Sequence, residues 1–172
     1  MTQKEQFVIN EKNTKLIDRW VKKYPKEQQR SAVVAALRIV QDQNGGWLSE
    51  SAMQAVADHL SLAYIEVYEV ASFYDQFEMA PIGRHKISFC TNLSCQLRGV
   101  DDIVAYVEER VGARLGETSA DGVFTLREAE CLGACDLAPM CQVNDREYRK
   151  HLTPEKMDHI LAELRSNAQE DY

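Results

Sequence analysis

Several ingredients are scarce in this chain, and each scarcity removes a class of function. Four prolines and eight glycines in 172 residues argue against a fibrous repeat or a low-complexity chain. No uninterrupted apolar run reaches the roughly 18–20 residues needed to cross a bilayer, so direct membrane insertion is not expected. The N-terminal stretch MTQKEQFVINEKNTK lacks the apolar centre of a secretory signal. The formal charge is −7, and Lys and Arg are scattered rather than gathered into a stripe. Nucleic acid is therefore not an expected partner. Neither G-x-G-x-x-G nor a P-loop occurs, so no nucleotide site is expected on this chain.

What is present is cysteine in an unusual arrangement. Cys90 and Cys95 bracket CTNLSC, and Cys131 and Cys135 bracket CLGAC, with no histidine inside either stretch. An unexported chain meets a reducing compartment, where structural disulfides are disfavoured and metal binding gains weight. Four thiolates spaced C-x4-C…C-x3-C suit a [2Fe-2S] cluster, which takes two thiolates on each iron. Gly133 lies inside the second stretch, where it leaves room for peptide N–H groups to approach sulfur. A helix starting near Cys95 is expected to point its positive end at the sulfurs and stabilise their charge.

Other readings of the same residues stay open at this point. Structural zinc uses four thiolates too, but commonly in tighter C-x2-C pairs. Thiol–disulfide exchange needs C-x-x-C, which is absent. A Rieske centre needs two histidine ligands. His59, His85, His151 and His159 lie outside the cysteine loops and are expected at the surface or as caps. The fifth cysteine, Cys141, follows Pro139-Met140 into a strand and is expected to be a buried apolar thiol.

Hydrophobic periodicity divides the chain near Met79–Gly83. Residues 1–80 read as an antiparallel helical bundle, with helices over about 13–23, 26–42 and 50–59 and a fourth capped by Ser61. Ser49 is the expected cap of the third. Tyr64, Tyr68, Phe73 and Tyr74 recur at helical spacing and are expected mainly in the core. Residues 81–172 read as β-α-β-β-β-α: a strand from His85 to Cys90, a helix from Leu97 to Val111, a strand from Val123, then a hairpin about Asn144-Asp145. Thr153 and Pro154 open a last helix, and the tail from Ser166 is expected to fray. The fold class is α+β, with a helical bundle followed by a thioredoxin-like mixed sheet.

At these motifs the chain resembles a known family. ECLGACDLAP (130–139) and CTNLSC (90–95) are similar to the cysteine motifs of the small thioredoxin-like [2Fe-2S] subunits (the E subunits) of NADH-quinone oxidoreductase, respiratory complex I. GWLS (46–49), YEVASFYDQF (68–77) and TSADGVFTL (118–126) resemble other signatures of that family. The resemblance covers roughly residues 29–164. It implies a thioredoxin-like [2Fe-2S] ferredoxin domain whose cluster ligands are Cys90, Cys95, Cys131 and Cys135. It also implies a partner subunit that holds FMN and binds NADH. The helical bundle would engage that partner as a heterodimer in a larger peripheral-arm complex. The implied place is cytoplasmic, peripheral to the inner membrane, beside the path toward quinone. Similar subunits serve NAD-dependent formate dehydrogenases and bidirectional hydrogenases, so these assemblies are the alternatives.

Overall fold

The computed structural model describes residues 6–166. Its chain divides into two compact units between Pro81 and Ile82. Of the tail expected to fray, residues 167–172 lie outside the described ones.

The first unit is helical: α1 (Glu11–Val21), a 3-10 turn (Gln29–Ala32), α2 (Val33–Gln43), α3 (Glu50–Leu60) and α4 (Tyr64–Phe73). Apolar residues recurring every third or fourth position bury Val33, Ala36, Leu37 and Val40 of α2 with Met53, Val56 and Leu60 of α3 in one core. Ser49 caps α3, its hydroxyl accepting the Ala52 N–H at 3.1 Å. Asn10 caps α1 a few residues before the expected start, and the Asn13 N–H donates to it. The second helix is shorter than expected, because Glu27 adopts a left-handed conformation (φ 66°) and a 3-10 turn precedes α2. Ser61 does not cap α4. It closes α3 in the left-handed region, and the Glu66 carboxylate accepts the Ala63 N–H at the start of α4 instead. Buried Gln41 ties the end of this unit to α2, donating to Gln76 O and accepting from the Glu78 N–H.

The second unit is a four-stranded mixed sheet with helices. Its elements are β1 (His85–Cys90), α5 (Leu93–Gln96), α6 (Val100–Val111), β2 (Phe124–Ala129), β3 (Cys141–Val143), β4 (Glu147–Arg149) and α7 (Pro154–Ser166). The strand order is β2-β1-β3-β4, with β1 parallel to β2 and antiparallel to β3. Every residue of β1 is buried, as an interior strand covered on both faces requires. Ile87, Phe89, Phe124 and Leu126 share a core with Val100, Val107, Met157 and Ile160 of the helices. The expected helix from Leu97 to Val111 is two helices. Gly99 at φ 82° takes a conformation costly for residues with a Cβ, and this breaks the run between α5 and α6. Asn144 and Asp145 both have positive φ, a left-handed pair that turns the chain within the three-residue connection 144–146 between β3 and β4. The turn is pinned to β1 by the Lys86 N–H donating to Asn144 Oδ1 and by the Lys86–Asp145 ion pair at 2.7 Å.

His85 departs from expectation. It is buried in β1, and burial is the first cause that lowers its pKa, so the neutral ring is favoured. The aromatic residues of α4 and its end also depart: Phe73 is 75% exposed, and Tyr68 and Tyr74 are exposed as well. Their helical spacing is real, but α4 buries the face of Val67 and Ala71. Among the described residues no helix is long and apolar enough to cross a membrane.

Candidate metal centre

Parallel pairing decides where the cysteines meet. Cys90 is the last residue of β1, and its register partner is Ala129, the last residue of β2. Parallel strands end on the same side, so Cys131, two residues past Ala129, emerges beside Cys90. Cys95 lies within α5, where its N–H donates to Asn92 O at 2.8 Å and turns the chain back. Cys135 opens a 3-10 turn, Cys135–Leu137, before β3 returns alongside β1. Cys90 comes within hydrogen-bond reach of the thiols of both Cys95 and Cys131, and Cys95 senses the charge of Cys135. All four predicted ligands thus gather at one end of the sheet. Cys90 and Cys95 are buried, whereas Cys131 and Cys135 are exposed.

The surroundings favour charged sulfur at Cys90. Burial acts to raise the Cys90 pKa, but N–H groups of Leu132 and Asn92, with the thiols of Cys95 and Cys131, outweigh it and hold the pKa below the ordinary thiol range. Its neighbour Cys95 is pushed up to about 11, by burial first and then by its hydrogen bond to Cys90. Of this pair, Cys90 is the sulfur on which negative charge is the more favoured. The Met140 N–H reaches Cys95. The Gly133 N–H donates to Cys131 Sγ at 3.4 Å, from a backbone at φ 67° that glycine adopts without strain.

These donors fit a cluster held by thiolates. Peptide N–H groups aimed at sulfur stabilise ligand charge, whereas they would serve no purpose around inert apolar thiols. A structural zinc ion asks four donors to converge on one point. Among the described residues no group of three or more His, Cys, Asp or Glu is set closely enough to hold a metal ion as it stands, so the contrast between zinc and iron rests on the spacing of the pairs. A two-iron core divides its thiolates two and two, which suits paired loops better. No histidine belongs to either cysteine loop. Cys141 stands apart, fully buried in the sheet core, with burial pushing its thiol up to about 12.

One expectation about the electrostatics fails. Cys95 does not precede a long helix. It lies inside the four-residue α5, and α6 starts only at Val100. The positive charge facing the sulfurs comes from individual peptide N–H groups rather than from a helix end. Asn92, Leu132 and Met140 are the functional residues that sequence reasoning misses. They act through the backbone, so no residue-type signal marks them.

Comparison with known proteins agrees with the fold. The chain is 45% identical over 161 residues to the E subunit of NADH-quinone oxidoreductase from Rickettsia bellii (strain RML369-C), covering 94% of this chain and 96% of that one. It is 38% identical over 161 residues to the mitochondrial NADH dehydrogenase [ubiquinone] flavoprotein 2 of Dictyostelium discoideum, covering 94% of this chain and 65% of that one. Among solved structures, the NAD+-reducing [NiFe]-hydrogenase in its air-oxidized state superposes with a TM-score of 0.69 at 24% identity. That match covers 84% of this chain but only 25% of the hydrogenase chain, and it speaks to the fold alone. The family model for thioredoxin-like [2Fe-2S] ferredoxins matches residues 17–165. Over most of its length, then, this chain belongs to the thioredoxin-like [2Fe-2S] ferredoxin family.

Proposed function

We propose that this chain is the electron-transfer subunit of an NADH:quinone oxidoreductase, exchanging single electrons with FMN on a partner subunit that binds NADH. Cys90, Cys95, Cys131 and Cys135 hold its one [2Fe-2S] cluster. The observation that carries the reading is the meeting of the two cysteine loops at the shared end of β1 and β2. When bound, the cluster supplies reversible one-electron storage. The chain's own residues set the terms. Burial around Cys90 and Cys95 disfavours added negative charge, and N–H donors from Asn92, Leu132, Gly133 and Met140 offset that cost.

Residues 81–172 form the cluster domain in this reading, and residues 1–80 dock the flavin subunit. Exposed Ile65, Tyr68, Phe73 and Tyr74 on and beside α4 support the docking role, since large apolar side chains in contact with water commonly mark interfaces. The complex sits on the cytoplasmic side, peripheral to the inner membrane, and this chain reaches the membrane only through it. An equivalent place in an NAD-dependent formate dehydrogenase or a bidirectional hydrogenase is the second reading, favoured by the fold shared with the NAD+-reducing hydrogenase.

Anaerobic purification tests the cluster. Iron and acid-labile sulfide are expected in equal amounts, about two of each per chain, with visible absorption that bleaches on reduction. Stoichiometric zinc without sulfide overturns the proposal. Affinity purification of the tagged chain from its own cells is expected to recover a flavin subunit together with quinone-reducing rather than hydrogen- or formate-oxidising partners.

A further inference from the structure

We infer that Tyr148 is a positioning residue for the cluster, acting on the Cys131 sulfur through a single peptide group. Tyr148 lies in β4 and donates its hydroxyl proton to Leu132 O at 2.9 Å. That carbonyl belongs to the peptide joining Leu132 to Gly133. The N–H of the same peptide donates to Cys131 Sγ. One amide thus carries a hydrogen bond at each end, from a phenol on its oxygen and to a sulfur from its nitrogen. Such chains are cooperative: a donor on the carbonyl polarises the amide and strengthens its N–H as a donor.

The consequence falls on a ligand that needs it. Cys131 is exposed, and its loop lies outside the strands. Tyr148 reaches the loop from a hairpin anchored to β1 by the Asn144 and Asp145 contacts. The rigid sheet therefore holds the loop peptide in the orientation that aims its N–H at sulfur. Hydrogen bonds to cluster sulfurs stabilise the more negative, reduced state and raise the reduction potential. This inference rests on the proposed role of Cys131 as a ligand, and the experiment separates the two.

The test is Tyr148→Phe in the full chain, read by iron and sulfide content and by a spectroelectrochemical titration. The ring stays and only the hydroxyl goes. Full cluster content is expected, with a midpoint potential lowered by about 30 mV, equivalent to about a threefold change in the one-electron equilibrium. Water replaces part of the lost bond, because Tyr148 is 43% exposed. Incorporating 3-fluorotyrosine at position 148 gives a more acidic donor and is expected to shift the potential upward. That arm decides the matter should the phenylalanine variant not fold. Tyr106→Phe removes a hydroxyl bonded to Asp158 on the helices and is expected to leave the potential unchanged. Potentials that stay fixed in both Tyr148 variants overturn the inference while leaving the cluster assignment intact. Absence of iron and sulfide from the unmodified chain overturns the assignment itself.

Discussion

Cys90 and Cys95 are 4% and 1% exposed and rest on or beside an interior strand, whereas Cys131 and Cys135 are exposed on a segment whose only regular structure is a three-residue turn. The first pair belongs to the hydrophobic core of its unit, together with Phe89 and Val100. The second is held by a few bonds, chiefly Gly133 N–H to Cys131, Tyr148 to Leu132 O, and Leu137 N–H to Ala134 O, and by Leu132, Ala134 and Leu137 packing partly buried against that core. One half of the site is therefore preorganised by packing. The other depends on partial packing, on these hydrogen bonds and, in the proposed function, on the metal that it helps to bind. Metal binding and the ordering of its ligands share one free energy, and here that coupling is confined to one loop.

Serine substitution sharpens the contrast most. Cys90→Ser and Cys131→Ser are both expected to abolish a stable cluster, seen as lost sulfide and visible absorption. Their effects on the metal-free chain should differ. A serine hydroxyl in the buried Cys90 position costs about 1–3 kcal/mol, while the exposed Cys131 site changes stability by about 0.5 kcal/mol or less. Denaturant titration of the two metal-free variants checks this, and equal losses would break the comparison.

Cys141 extends the contrast to a thiol that is buried and outside the site. Cys141→Ser is expected to cost a similar amount of stability, about 1–3 kcal/mol, and to leave iron content and the visible spectrum unchanged. A changed spectrum would place Cys141 in the ligand set. The smallest effect is expected from Gly133→Ala. A Cβ at this position meets nothing within 4 Å, so its cost is the left-handed backbone alone, about 1–2 kcal/mol. Because that strain falls in the loosely held loop, it should emerge as faster loss of iron to a chelator. The melting temperature of the metal-free chain should fall by only a few degrees, about 2–4 °C per kcal/mol.

Much of the site is legible in the sequence because its signals are local. The cysteine spacing, the strand running into Cys90 and the Asn144-Asp145 turn need only a few neighbouring residues, and the structure places the strand and the turn where the pattern implies. The strand pairing that brings Cys131 beside Cys90 joins segments far apart in the chain, and no local pattern encodes its register. The N–H groups aimed at sulfur are invisible for another reason: every residue but proline has one, so Asn92, Leu132 and Met140 carry no mark of their role. Gly99 illustrates a concealed signal. Its place inside an apolar helical period hides a break that its positive φ makes plain. With α4, periodicity correctly indicates a helix but not which side faces inward, and the aromatic stripe lies largely outside the core. Tyr148 gives no sign of its role, because a tyrosine in a short edge strand has an ordinary look until its hydroxyl is located.

The parallel register of β1 with β2 also imposes an order of events on biosynthesis. As the chain leaves the ribosome, Cys90 and Cys95 emerge well before Cys131, yet the second loop has no fixed place until residues 124–129 have docked on 85–90. Contacts this distant along the chain close late in folding. An iron donor that arrives early meets only half a binding site, so loading is a final step, performed on a chain whose sheet is already built.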